Sequence, residues 1–125
     1  MNKKITSFDK GGVLLEAVGS IDELVSFLGW LKSRLKDKEN VEKVQKSLME
    51  ISGQLVGYAR WKGGEDVCWL EKEIEIVKEK KGVVRGFVLA GETEIDGVRH
   101  ICRSVCRRAE RKVISLSRKI EVDNN

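Results

Sequence analysis

The sequence predicts an all-α protein, an antiparallel bundle of about four long helices. Three observations carry this. There is no proline among its 125 residues, so nothing removes a backbone N–H or forces a ring into a helix interior. Apolar residues recur at three- and four-residue spacing through four separate segments, the period of a helix with one buried face. The chain is 41% hydrophobic and 35% charged, which fits one globular domain of ion-pair-rich helices and leans towards the composition of a thermophile. No repeat or low-complexity block divides it, so residues 1–125 are read as a single domain.

Taken in order, Thr6-Ser7-Phe8-Asp9-Lys10-Gly11-Gly12 is expected as a loop. Its hydroxyls, lysine and glycine pair could cradle phosphate, or it could be a flexible tail; the spacing of a P-loop is absent. The first helix carries Ile21, Leu24, Val25, Leu28, Leu31 and Leu35, and Ser20 with Glu23 forms a capping-box signature at its start. The second carries Val41, Val44, Leu48, Ile51 and Leu55 after an Asn40 cap. The third, between Gly63-Gly64 and Gly82, carries Val67, Leu70, Ile74 and Val77. The fourth is expected from about Thr93 to Ile120, with Ile95, Val98, Cys102, Val105, Ala109, Val113, Leu116 and Ile120 on one stripe. All four stripes are expected to be core, and the short connections at Asp37–Asn40 and Trp61–Gly64 make antiparallel neighbours. Gly82–Gly91 is expected as a loop packed on helix ends, with Phe87 either plugging the bundle or offering an aromatic face to a planar ligand.

Several function classes are disfavoured. No apolar run approaches the ~20 residues of a membrane span, and the start lacks a signal-peptide core, so a soluble, cytoplasmic protein is expected. Cys68, Cys102 and Cys106 form no Cys-x-x-Cys, and the single histidine, His100, completes no common zinc site with them. Cys102 and Cys106 are expected as small core residues. Trp30, Val56, Trp69 and Ile76 fall outside the main stripes, which predicts burial by association.

Charge is uneven. The net charge is +4, yet the stretch Arg99–Lys119 holds eight cations against Glu110 alone. Arg99, Arg103, Arg107 and Arg111 recur every four residues, a spacing at which like charges cost ~0.2–0.5 kcal/mol per pair. Either carboxylates of neighbouring helices compensate them, or a polyphosphate does, since arginine forks grip phosphate oxygens in pairs. Glu110 could orient an arginine or help hold a metal carried by phosphates. Asp22, near the expected start of the first helix, is also explained by the helix dipole alone. Nucleic acid fits less well, because the stripe adjoins the core face and lacks interleaved aromatics.

The run Val105-Cys106-Arg107-Arg108-Ala109-Glu110-Arg111, preceded by His100-Ile101-Cys102-Arg103, resembles the signature helix of the PduO-type ATP:corrinoid adenosyltransferases. Three other segments agree in order. Ser7-Phe8-Asp9-Lys10-Gly11-Gly12 is similar to that family's nucleotide loop, Glu16-Ala17-Val18-Gly19-Ser20-Ile21-Asp22-Glu23-Leu24 to its Glu-Ala-Tyr-Gly-Thr-Val-Asp-Glu-Leu segment, and Phe87-Val88-Leu89-Ala90-Gly91 to its Phe-Ile-Leu-Pro-Gly-Gly.

The resemblance implies a homotrimer of helical bundles with sites between subunits, transferring the 5′-deoxyadenosyl group of ATP to the cobalt of a reduced corrinoid such as cobalamin, with triphosphate released. It implies ATP bound with magnesium on its phosphates. Residues 1–13 would form the nucleotide-loop segment, with Ser7, Asp9, Lys10 and Gly11 joining Arg107, Arg108 and Arg111 in nucleotide binding. Arg103, Arg107, Glu110, Phe87 and Asp22 would be catalytic: Asp22 pairs with Arg103 across the subunit boundary, and Phe87 covers the lower corrinoid face, excluding an axial ligand. A corrinoid reductase or corrinoid-dependent enzyme is an implied partner. The sequence also departs from the family. Only three residues separate Gly12 from Glu16, Val25 replaces an asparagine, Phe8 a glycine and Ala90 a proline, and the chain ends soon after Ile120, without the family's final helix. A non-catalytic relative that binds ATP or a corrinoid, as regulator or carrier, is the alternative.

Overall fold

The computed structural model describes residues 7–82 and 86–124, with side chains described for 12–82 and 86–120. Four helices follow one another: α1 (Ser7–Ser33), α2 (Glu39–Leu55), α3 (Gly63–Lys81) and α4 (Glu94–Asn124). No strand occurs among the described residues, and no described helix is long and apolar enough to cross a membrane.

α1 lies antiparallel to α4 and packs on α2. Leu14 and Ala17 of α1 meet Leu116 of α4 at one end, flanked by Val113, Ile120, Leu55 and Val56. At the other end Leu24 and Leu31 meet Val98, Cys102 and Val105, with Leu48 of α2 and Ile95 against them. Leu14 and Leu116 are each 1% exposed, and burial of a side chain of this size stabilises by about 1.5–3 kcal/mol. α2 joins with its apolar face half buried and no residue fully buried. It is further attached by Gln45, whose Nε2 donates to the Val25 carbonyl at 3.1 Å.

α1 begins earlier than expected. The stretch Ser7–Gly12, expected as a loop, is helical and continuous with α1, and Ser20 and Glu23 sit in mid-helix. The apolar spacing Val13, Leu14, Ala17, Ile21 extends the buried stripe of Leu24 and Leu31 backwards, and its packing on α4 outweighs the glycine pair, which disfavours a helix by about 1 kcal/mol per residue relative to alanine. Thr6 and the side chains of residues 7–11 lie outside the described residues. Asn40 is not the cap of α2: Lys38 occupies that position, and the Glu39 N–H is met by Asp37 Oδ1 at 3.2 Å.

At the start of α4 the expectation holds. Thr93 Oγ1 accepts the Asp96 N–H at 3.1 Å, an N-terminal cap, while Asp96 Oδ2 accepts the Gly91 N–H at 2.8 Å. That bond from Gly91 holds the Asp96 carboxyl below its ordinary range. Gly91 has φ +102°, a left-handed conformation open to glycine at little cost.

α3 corrects an expectation. Its stripe Val67, Leu70, Ile74 and Val77 is between 42% and 56% exposed and is not core, because α3 is tied to α2 by polar contacts and turns its apolar stripe away from the α1–α2–α4 packing. Trp61 holds the junction. Its N–H donates to Gln54 Oε1 at 2.8 Å and its Nε1 to Asp66 Oδ2 at 2.6 Å, Lys43 Nζ lies 4.3 Å from the Trp69 ring centroid, and a Cβ on Gly63 would come within 3.1 Å of the Trp61 ring. Hydrogen bonds from Ser47 and Trp61, then Lys62 and Lys43, hold the Asp66 carboxyl below its ordinary range. Asp66 therefore adds stability above the ordinary carboxylate value of 3.8, and that contribution is lost as pH falls through the lower folded-state value. The gap in unfolding free energy between the unmodified chain and Asp66→Asn is expected to be full near neutrality and to close below that value; a constant gap throughout the acid range, in urea titrations, would contradict it.

Candidate functional site

α4 carries its charge on the side away from its buried stripe, because its core residues fall at three- and four-residue steps and consecutive residues are rotated by about 100°. Arg99, Arg103, Arg107, Glu110 and Arg111 are all exposed. Among the described residues none of these four arginines forms an ion pair within the chain. Among the described residues, the carboxylates of neighbouring helices therefore do not compensate the stripe. Arg108 differs: it pairs with Glu23 of α1, and one turn on Lys112 Nζ lies 3.5 Å from Glu16 Oε2.

Asp22 is exposed on α1. It lines a groove of about 400 Å3 between α1 and α2, with Val25, Ser26, Met49, Ser52 and Gly53. The groove between α1 and α4, about 360 Å3, holds Glu16, Gly19, Ser20, Glu23, Arg108 and Lys112. The structure thus brings Arg103, Arg107, Glu110 and Arg111 together on one helix face but leaves Asp22 in a different groove, and among the described residues no ion pair joins Asp22 to Arg103 within the chain. Phe87 is fully exposed, which removes the bundle-plug reading. Its neighbours Gly86 and Val88–Ala90 are exposed too, so this stretch is not packed on helix ends; residues 83–85 lie outside the described residues. Ser7, Asp9, Lys10 and Gly11 fall on the first turns of α1, their side chains outside those described.

Two of the cysteines, Cys102 and Cys106, lie on α4. Cys102 is buried as expected, whereas Cys106 is exposed, because it lies beyond the edge of the stripe that Cys102, Val105 and Ala109 define. Removal from water pushes both thiols up, and at Cys106 the Glu110 carboxylate adds to the effect, so both are protonated at neutral pH. His100 Nε2 lies 3.5 Å from Asp96 Oδ1, which occupies the histidine at the start of α4. Among the described residues no group of three or more His, Cys, Asp or Glu side chains could hold a metal ion. Sequence reasoning missed the Glu23–Arg108 and Glu16–Lys112 pairs; their signal was the presence of acids seven residues apart on α1 opposite bases four apart on α4.

A family model described as cobalamin adenosyltransferase matches residues 3–125. The corrinoid adenosyltransferase MMAB of Homo sapiens is 30% identical over 132 residues, covering 93% of this chain and 52% of that protein. The corrinoid adenosyltransferase of Bacillus subtilis is 30% identical over 125 residues, covering 91% of this chain and 65% of that protein. The chain spans about half to two thirds of the length of these curated relatives. Among solved structures, a variant of the PduO-type ATP:corrinoid adenosyltransferase from Lactobacillus reuteri, complexed with cobalamin and ATP, matches with a TM-score of 0.78 at 26% identity, covering 87% of this chain and 65% of that one.

Proposed function

The chain belongs to the cobalamin adenosyltransferase family, and we propose that it is an ATP:corrinoid adenosyltransferase, moving the 5′-deoxyadenosyl group of ATP to the cobalt of a reduced corrinoid. One observation carries the reading: the exposed face of Arg103, Arg107 and Arg111, interrupted only by Glu110, has no carboxylate partner among the described residues. A triphosphate supplies the missing charge. In the transfer the cobalt–carbon bond forms as the C5′–oxygen bond breaks, and negative charge collects on the departing triphosphate, where arginine forks stabilise it. Magnesium would arrive on the phosphates, with Glu110 orienting Arg107 or supporting the ion.

The finer assignments follow from the same reading. Residues 1–125 form one domain, with 1–13 as its nucleotide-binding segment contributing Ser7, Asp9, Lys10 and Gly11. Three copies assemble with the sites between them, Asp22 of one subunit pairing with Arg103 of the partner subunit; the placement of Asp22 in a groove apart from the α4 arginines favours a site completed by a second copy. Phe87, exposed on the segment before α4, covers the lower corrinoid face and keeps a ligand or water from that side of the cobalt, which makes the metal easier to reduce. The protein is soluble and cytoplasmic and receives its corrinoid from a reductase or hands it to a corrinoid-dependent enzyme.

If Arg107 grips phosphate with both prongs, Arg107→Lys keeps the charge and loses the geometry. The expected loss is about 1.5–3 kcal/mol, on the order of tenfold to a hundredfold in MgATP affinity by calorimetric titration. Arg118→Lys, about three turns further along α4, should bind as the unmodified chain does. Equal affinities for the two variants, or no binding by the unmodified chain, would remove the nucleotide site. In sedimentation at micromolar concentration a trimer is expected, and a monomer alone would contradict a site between subunits.

A further inference from the structure

We propose that α3 is a docking face for a second copy of this chain, the two α3 helices packing antiparallel about a two-fold axis. Val67, Leu70, Ile74 and Val77 are each about half exposed, and among the described residues none of them joins either apolar cluster of the bundle. Their spacing of three, four and three residues makes a seam along one face, the pattern by which helix packs on helix, and a continuous apolar row marks an interaction surface where scattered residues would not. The row is held ready for a partner. Asp66 is bonded to Trp61 and Ser47, Trp69 lies under Lys43 and Glu73 meets Asn40, so α3 is already fixed on α2 and needs little ordering on association, which removes part of the cost.

A second copy fits this face in shape and in charge. In an antiparallel pair Val67 sits against the partner's Val77 and Leu70 against the partner's Ile74, and the two-fold operation repeats both layers, so the surface is complementary to itself. Charge follows the same operation. Glu65, Asp66, Glu71, Glu73 and Glu75 crowd the first two thirds of α3 against Lys72 alone, whereas Lys78, Lys80 and Lys81 end it with Glu79 among them. Antiparallel packing lays the acidic part of each helix on the basic end of the other and opposes their dipoles; parallel packing would lay the acidic parts together. At about 100° per residue, Glu71 and Lys78 both fall on the edge of the seam away from α2, where Glu71 meets the partner's Lys78, twice in each pair. Lys78 Nζ lies 3.7 Å from Glu75 Oε1 in its own chain, but both side chains are more than half exposed, and so weak a surface pair lets Lys78 turn to the partner. The seam is one short helix face, which makes it a small, weak interface. It lies on a different helix from Asp22 and the arginine face, so it joins assemblies built around that site at concentrations above those at which they form.

Sedimentation of the chain over a series from about 1 to about 500 μM tests the pairing. The mean mass of the unmodified chain should rise at least about twofold across the series. Ile74→Glu should keep its low-concentration mass throughout with an unchanged melting temperature, because Ile74 is half exposed and belongs to no packed cluster. Glu71→Lys and Lys78→Glu should each raise the concentration of half-association by roughly fivefold, and the chain carrying both should return close to the unmodified value. None of these substitutions touches the proposed nucleotide site, so MgATP binding stands or falls separately. A constant mass for the unmodified chain, or an equal rise in Ile74→Glu, would overturn the docking face. A lowered melting temperature of Ile74→Glu at low concentration would show the stripe covered within the chain and would overturn it too. Association abolished in Ile74→Glu but not recovered in the charge-exchanged chain would overturn the antiparallel pairing.

Discussion

The contact of Leu14 and Ala17 with Leu116 at one end, and of Leu24 and Leu31 with Val98, Cys102 and Val105 at the other, sets the antiparallel register of α1 on α4, and the placement of every candidate side chain on α4 follows from it. Apolar burial is non-directional, so it determines which face of α4 turns inwards without regard to charge. What remains outside is a consequence: with Val98, Cys102, Val105, Ala109 and Leu116 buried, Arg103, Arg107 and Arg111 can only point to solvent or to another molecule. The same register brings Arg34 Nη2 within 3.2 Å of Glu94 Oε1, tying the end of α1 to the start of α4.

The charges of α4 are then divided by flank. On one side acids of α1 neutralise Arg108 and Lys112. On the outward side the arginines repel one another at four-residue spacing, an unfavourable arrangement that a helix in isolation has no reason to keep. An anion with several oxygens converts that repulsion into binding, and a triphosphate matches it in charge and in the planar, two-pronged geometry that guanidinium groups favour. The remaining candidate groups, Asp22 in the α1–α2 groove and Phe87 on the exposed segment before α4, do not converge with the arginines inside one chain. In the proposed trimer a partner subunit would bring Asp22 or Phe87 to the arginine face.

Much of the fold was legible in the sequence because helical periodicity is a local signal. The bounds of α3 were read from glycine punctuation, and the extent and stripe of α4 from its apolar spacing. The start of α1 was misplaced because Ser20 and Glu23 mimic a capping box at positions where the chain is already helical. The stripe of α3 and the residue Phe87 were misjudged for a different reason: amphipathic spacing says that a face is apolar, not what covers it. For the site, the arginine spacing alone left a solvated face and a phosphate site both open, and similarity of the Val105–Arg111 run to known adenosyltransferases chose between them. The pairs of Arg108 with Glu23 and of Lys112 with Glu16 were missed because they join residues far apart in the sequence that meet only after folding.

Whether this arginine face supports adenosyl transfer is tested by anaerobic incubation of the chain with ATP, magnesium and chemically reduced cobalamin. Adenosylcobalamin and inorganic triphosphate are expected in equal amounts, with both reduced together in Arg107→Lys. ATP bound with no cobalt–carbon bond formed, or ATP cleaved to ADP, would contradict this role.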